Sequence, residues 1–164
     1  MKSLIRIAPV VVAIAVFGCA PAETPPEIEE AEMLNGLGNG SFTAQLNGFD
    51  IHYEVHGKGP VLMVLTNSWG LSLEGVRALM SPHEDRLTMV FFDPRGMCES
   101  GPVVEEADMG MAAVRADFQA LRKHLGLQTV SAIGWSNGAM NLVLLAAEHP
   151  ETIDNAIFVH GVAS

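Results

Sequence analysis

Residues 129–148 have the sequence TVSAIGWSNGAMNLVLLAAE, in which a strand pattern changes into a helix pattern within a few residues. Residues 129–133 are predicted to form a buried strand, of the kind that is covered on both faces. Residues 139–148 have the length and composition of a helix. The pattern therefore predicts a sharp turn at residues 134–138, GWSNG, between a buried strand and a helix.

This turn makes Ser136 a candidate nucleophile. A serine hydroxyl is a poor nucleophile unless it is exposed, oriented and close to a base. A sharp strand-to-helix turn meets the first two needs, because it presents the side chain at the sheet edge on strained backbone angles. Side chains at Gly134 and Gly138 would collide with the neighbouring strand and helix. The first amides of the helix, beginning with Asn137, can stabilise an oxyanion there.

The glycine-serine-glycine spacing by itself is a weak signal, because the chain contains 16 glycines. A loop rich in glycine with an idle serine would match the same pattern. What makes the pattern specific is its context, a strand before the turn and a helix after it. Both are predicted here.

The same alternation extends over the rest of the domain. Asn47-Gly48 is a strong signal for a tight hairpin between two strands. Buried strands alternating with helices predict an α/β fold with a mostly parallel sheet and right-handed crossovers, to which the hairpin adds an antiparallel edge. The predicted hairpin strands are 41–46 and 49–55, the buried strands are 61–65, 87–92, 129–133 and 156–159, and the helices are 71–80, 111–125 and 139–148.

The helix predicted at residues 111–125 has one apolar stripe, formed by Val114, Phe118, Leu121 and Leu125. Its polar side chains, Arg122 among them, are expected to face away from the core. Two further expectations concern the end of the chain. Asp154 is assigned to the turn before the last strand, and the strand itself to residues 156–159.

The N-terminus has the three zones of an export signal. Lys2 and Arg6 precede an apolar run over residues 7–17, which is shorter than the roughly 20 residues that a membrane-spanning helix needs. Residues 16–19, VFGC, resemble a bacterial lipobox. That resemblance implies a lipoprotein-type signal peptide at residues 1–18, lipidation of Cys19, and an exported protein anchored in the membrane of the cell envelope. Ordinary secretion with cleavage nearby is the alternative.

Residues 19–40 predict a flexible linker rich in acidic residues, proline and glycine, and residues 41–164 a folded domain. The formal net charge of −10 makes nucleic acid a poor partner, because nucleic acid selects basic surfaces. If Cys19 carries lipid, Cys98 has no partner for a disulfide. Because nothing nearby in sequence argues for a depressed pKa, Cys98 is expected to be an inert thiol.

Three ordered motifs resemble the α/β-hydrolase superfamily, and most of all its proline iminopeptidase and small-ester hydrolase branch. The motifs are residues 67–70, NSWG, residues 92–100, FDPRGMCES, and residues 134–138, GWSNG. The resemblance implies a serine hydrolase for a small ester or peptide-like substrate, with no metal or cofactor. It also implies that the backbone amides of Trp69 and Asn137 hold the oxyanion.

The chain departs from that family at two of the motifs. Relatives usually have His-Gly where this chain has Asn67-Ser68, and glycine where it has Cys98. By resemblance, Asp93 and Arg95 are structural residues that brace loops through charge-assisted hydrogen bonds.

The triad base and acid should follow the serine in the order Asp or Glu, then His. The residues after Ser136 include His149 and His160, and His160 ends the last strand at the correct edge of the sheet. Relatives, however, place the base two strands later. The chain is therefore expected to be the N-terminal portion of the fold, truncated after the sixth strand and incomplete as an enzyme. A non-catalytic, surface-tethered binding module or an inactive fragment is the alternative.

Overall fold

The computed structural model describes residues 37–65 and 73–160. Several predictions concern residues outside these ranges: the signal peptide at residues 1–18, lipidation of Cys19, most of the linker, and the loop with Trp69 and its neighbours Asn67 and Ser68. The fold, the hairpin and the turn at Ser136 all lie within the described residues.

Six strands form one mixed sheet in the order β1-β2-β4-β3-β5-β6. Strands β3, β4, β5 and β6 run parallel to one another, and the β1–β2 hairpin adds an antiparallel edge beside β4. The predicted α/β architecture with an N-terminal antiparallel hairpin is thus confirmed. The strands are β1 (Gly40–Leu46), β2 (Phe49–Gly57), β3 (Val61–Leu65), β4 (Thr88–Phe92), β5 (Val130–Trp135) and β6 (Ile153–Val159).

The hairpin turn has the backbone that its sequence predicts. Asn47 has φ 52° and Gly48 has φ 86°, so both central residues lie in the left-handed region. Two-residue hairpin loops require this conformation because it matches the twist of the flanking strands, and Asn-Gly adopts it at the lowest cost. The turn brings residues 40–46 into register with residues 49–55.

Three α-helices cover the two faces of the sheet: α1 (Leu73–Met80), α2 (Met111–His124) and α3 (Asn137–Glu148). Side chains alternate along β4, so Val90 and Phe92 enter the core cluster that contains residues of α2 and α3. Met89 and Phe91 enter the second cluster, with Leu73 of α1. This two-sided burial explains why the central strands are continuously apolar. No helix among the described residues is long and apolar enough to cross a membrane.

Three local predictions were wrong. No residue of β6 is buried, although the sequence predicted a buried strand there. Strand β6 begins at Ile153 and pairs with β5 from Val130 onward, so Asp154 lies in the strand and not in a turn. Arg122 is buried, because its guanidinium donates hydrogen bonds to the carbonyl oxygens of Leu127 and Gln128 in the loop after α2. Backbone carbonyls after a helix need donors, and a long arginine stem can lie along apolar surface to reach them.

The turn from β5 to α3 brings two stretches of backbone unusually close together. A Cβ added to Gly134 would lie 2.4 Å from the carbonyl oxygen of Gly138 and 2.7 Å from the amide nitrogen of Ala139. Both neighbours are backbone atoms of the first turn of α3, so they cannot rotate aside. Ser136, at the apex, has φ 52° and ψ −114°, a strained conformation for a residue with a side chain.

We expect Gly134→Ala to lower the free energy of unfolding by about 1–3 kcal/mol, because the added methyl group forces β5 and α3 apart. Urea unfolding at constant m value measures the change. Gly75→Ala in α1 is the matched control, since a Cβ at Gly75 meets nothing within 4 Å. That control should be neutral or more stable by up to about 1 kcal/mol. Equal stability of Gly134→Ala and the native chain would contradict the close approach.

Candidate active site

Ser136 is held by backbone hydrogen bonds on both sides of the turn. Its N–H donates to the carbonyl oxygen of Val159 in β6 at 2.9 Å, and its own carbonyl accepts from the N–H groups of Ala139 and Met140 at 3.0 and 3.2 Å. Its side chain makes no hydrogen bond with any residue that the structure describes. These hydrogen bonds therefore fix the backbone position from which the Ser136 side chain extends.

Helix α3 begins at Asn137, directly after Ser136. The N-terminus of a helix carries roughly half a positive charge and directs backbone N–H groups outward, which is the arrangement that stabilises a developing oxyanion. The structure thus places the predicted donor Asn137 at the correct end of a helix. The second predicted donor, Trp69, lies outside the described residues.

A cavity of about 600 Å³ lies against Ser136. This volume falls within the range of small-molecule sites. Four methionines from three different segments line it, and methionine side chains adapt readily to the shape of an apolar ligand. The lining residues are Pro94, Arg95, Gly96, Met97, Met109, Gly110, Met111, Ala113, Val114, Ser136, Asn137 and Met140.

Arg95 lines this cavity, but its guanidinium is already bound to other residues of the protein. Its Nε and Nη2 atoms donate to the two carboxylate oxygens of Asp117 at 2.8 and 2.5 Å, and its guanidinium carbon lies 4.2 Å from the centroid of the Phe49 ring. Asp117, fully buried in α2, also accepts a hydrogen bond from Asn47 in the hairpin turn. The hydrogen bond to Asp117 raises the pKa of Arg95 above its usual value. This pair ties the loop after β4 to α2 and to the hairpin.

Asp93 contacts His52, a histidine that the sequence analysis did not predict as part of a site. Its Oδ2 lies 2.9 Å from Nδ1 of His52, and both side chains are buried. The contact arises because β2 and β4 are antiparallel neighbours with Tyr53 opposite Phe92, which brings the preceding and following residues together. We found no sequence signal for this pairing, since it depends on the register of two strands that are far apart in the chain.

Cys98 belongs to the same loop and is a free cysteine. Burial, followed by the negative charge of Asp93, raises the pKa of its thiol. A raised pKa keeps the thiol protonated at neutral pH and therefore weakly nucleophilic. The geometry agrees with the inert thiol expected from the sequence.

The histidines after Ser136 are engaged elsewhere. The ring of His160 stacks on Trp135, with 5.8 Å between ring centroids and 14° between ring planes. Nδ1 of His149 lies 3.6 Å from a carboxylate oxygen of Glu151, just after the end of α3. Neither histidine forms a hydrogen bond with Ser136 among the described residues. Nor do the described residues contain a group of three His, Cys, Asp or Glu side chains that could hold a metal ion.

Two further candidate acids after Ser136, Glu148 and Asp154, form no ion pair with these histidines among the described residues. Glu148 accepts two hydrogen bonds of 2.9 Å from Arg115. These hydrogen bonds lower the pKa of Glu148 below its usual value. Asp154 is exposed on β6. The structure therefore brings together the predicted nucleophile, one of the two predicted oxyanion donors and a cavity, without a base and acid from residues 137–160.

Comparisons with known proteins agree with this architecture. A family model described as the alpha/beta hydrolase fold matches residues 61–163. The serine hydrolase BPHL of Mus musculus is 29% identical over 131 residues, which cover 77% of this chain and 45% of that protein. The AB hydrolase superfamily protein YclE of Bacillus subtilis is 27% identical, over 65% of this chain and 37% of its own length.

Solved structures share the fold at lower identity. An epoxide hydrolase of Vigna radiata superimposes with a TM-score of 0.65 at 22% identity, covering 73% of this chain and 39% of that one. An alpha/beta fold family hydrolase from Bacillus anthracis gives 0.69 at 21% identity, covering 77% of this chain and 45% of that one. This chain spans less than half the length of the curated relatives that it matches. Its sheet order, its strand-to-helix turn at Ser136 and its match to the family model together show that the chain belongs to the α/β-hydrolase fold family.

Proposed function

We propose that this protein is a serine hydrolase in which Ser136 attacks the carbonyl carbon of a small ester or peptide-like substrate. The observation that carries the proposal is the position of Ser136, at a strained turn and in the wall of an apolar cavity. Holding a serine at φ 52° costs on the order of 1–3 kcal/mol, and such strain concentrates at functional sites. A protein that only binds a ligand gains nothing from that cost.

In the proposed reaction, the hydroxyl oxygen of Ser136 forms a bond to the substrate carbonyl carbon while a general base takes the hydroxyl proton. The negative charge that develops on the carbonyl oxygen is stabilised by the amide of Asn137, with Trp69 as the proposed second donor. The base returns the proton to the leaving group, and water then hydrolyses the acyl-enzyme. Since no described histidine contacts Ser136, we propose that the base comes from a part of the whole protein outside the described residues.

The cavity favours a substrate with an apolar acyl or alkyl group. Methionine side chains supply much of the wall, and Arg95, the one charged residue lining it, is already paired with Asp117. A charged group in this cavity would lose its hydration without gaining an ion pair, which is unfavourable. Esters of uncharged, apolar acids fit the described part of the site best.

A second function, a surface-tethered binding module with the hydrolase scaffold, is favoured by one observation. Among residues 37–65 and 73–160, no histidine forms a hydrogen bond with the side chain of Ser136. In that case Ser136 would keep its position without an activating base. The two functions differ in whether Ser136 reacts.

A fluorophosphonate probe should label the peptide that contains Ser136, and Ser136→Ala should abolish that adduct. Ser131→Ala is the matched control. Its hydroxyl lies on the same strand and accepts a hydrogen bond from Asn155, so its loss should leave the labelling rate unchanged. Peptide mass spectrometry locates the adduct, and thermal unfolding verifies that each variant is folded.

Repeating the labelling with added free imidazole separates the two functions further. A competent nucleophile that lacks its base should react faster with imidazole present, because imidazole can accept the hydroxyl proton from solution. If the folded chain shows no adduct at Ser136 with or without imidazole, the serine hydrolase proposal is wrong and the binding module is preferred.

We also propose that the protein is exported and held at the cell envelope by lipid on Cys19. The support is the basic start, the short apolar run and the VFGC sequence at residues 16–19. When the protein is expressed in a bacterium with radiolabelled palmitate, the label should enter the native chain and the Cys98→Ser variant alike. Cys19→Ser should remove the label. Export without palmitate in the native chain would instead support ordinary secretion.

A further inference from the structure

A second serine in this chain takes part in a buried hydrogen-bond relay, remote in sequence from Ser136. The Oγ atom of Ser41 lies 2.9 Å from Nε2 of His52, and Nδ1 of His52 lies 2.9 Å from Oδ2 of Asp93. His52 and Asp93 are 4% and 3% exposed, whereas Ser41 is exposed. A serine open to solvent is therefore joined through a buried imidazole to a buried carboxylate.

The relay follows from the register of the hairpin. Thr43 of β1 stands opposite His52 of β2, and Ser41 stands opposite Glu54, so all four side chains lie on one face of the sheet. Ser41 is thus a diagonal neighbour of His52, within reach of its ring. Asp93 follows β4, the next strand along the sheet, and approaches the other nitrogen of the same ring.

The contacts of Asp93 determine which nitrogen of His52 carries the proton. An ionised carboxylate can only accept hydrogen bonds, so Nδ1 of the neutral ring must donate to Asp93. Nε2 is then unprotonated and presents its lone pair to the Ser41 hydroxyl. This is the tautomer that a general base for a serine requires.

Neighbouring groups hold the relay in place. The hydroxyl of Ser100 donates to the carbonyl of Asp93 at 2.6 Å and accepts from the backbone N–H of His52 at 2.9 Å. A carboxylate oxygen of Glu99 lies 3.6 Å from Nε2, so a negatively charged group faces the nitrogen that would receive the proton. A cleft of about 280 Å³ lies beside the imidazole, and His52, Asp93 and Glu99 are among the residues that line it.

We propose that Ser41 is a second nucleophilic serine, activated by His52 and Asp93, that accepts an acyl group from activated esters such as aryl esters. A bond forms between Oγ of Ser41 and the acyl carbon as the hydroxyl proton passes to Nε2 of His52. The bond from the acyl carbon to the aryloxide oxygen then breaks, and the aryloxide takes the proton from His52. The products are acyl-Ser41 and a phenol, with no oxidant or further reactant.

The position of Ser41 explains why the donor must be activated. Ser41 lies on the edge strand β1, whereas the N-terminus of α3 that follows Ser136 supplies a helix dipole for an oxyanion. Because Ser41 has a base but lacks that dipole, the rate of its acylation depends on a good leaving group. Ser41 is therefore an acyl acceptor that is modified once per chain, and its reactivity does not rest on the function proposed for Ser136.

The test uses the full chain carrying Ser136→Ala, treated with p-nitrophenyl acetate and analysed by peptide mass spectrometry over time. Ser81 is an internal control, because it is also exposed but its hydroxyl donates to the carbonyl of Ala78 instead of to a histidine. General-base activation should make acetylation of Ser41 on the order of 100-fold faster than that of Ser81. Adding Ser41→Ala should remove the adduct from its peptide and leave Ser81 unchanged.

A second variant, His52→Gln, removes the base and should lower the acetylation rate of Ser41 to that of Ser81. Its fold is verified by thermal unfolding. If this variant does not fold, the acetylation rates of Ser41 and Ser81 in the folded Ser136→Ala chain still test the proposal. Equal rates at the two serines, or an acetyl group that stays on His52, would overturn the proposal.

Discussion

The closeness of β5 and α3 at the turn around Ser136 is the constraint on which the site depends. Because Gly134 has no side chain, its Cα can lie against the carbonyl of Gly138, and the helix can begin immediately after the strand ends. The turn is then so tight that Ser136 must adopt φ 52°. The hydrogen bond from its N–H to Val159 extends the same constraint to β6. The position of the serine is thus a consequence of backbone packing.

Two polar networks arrange the loop after β4 around this turn. Arg95 joins the loop to Asp117 of α2, and Asp93 joins it to His52 of β2. Both carboxylates are buried, and buried charges are stable only when they are paired and hydrogen-bonded. The loop in turn supplies one wall of the cavity beside Ser136, so these pairs shape the candidate substrate site.

The two serines have complementary surroundings. Ser136 has a helix N-terminus and an apolar cavity, but its base is not among the described residues. Ser41 has a histidine within hydrogen-bond distance, and that histidine contacts a buried aspartate, but Ser41 lies on a strand. Serine catalysis requires both a base and a stabilised oxyanion, and the described residues divide these two requirements between separate sites.

The sequence by itself determined the architecture and the place of Ser136 at the turn, because both are local. The apolar runs of β3 and β4, the Asn47-Gly48 turn and the strand-to-helix change at residues 134–138 are each encoded by neighbouring residues. The tertiary structure alone decided that His52 faces Asp93, that Arg122 is buried and that Asp154 belongs to β6. These outcomes depend on strand register and on unpaired carbonyls elsewhere in the fold, and no short stretch of sequence specifies which distant residues will meet.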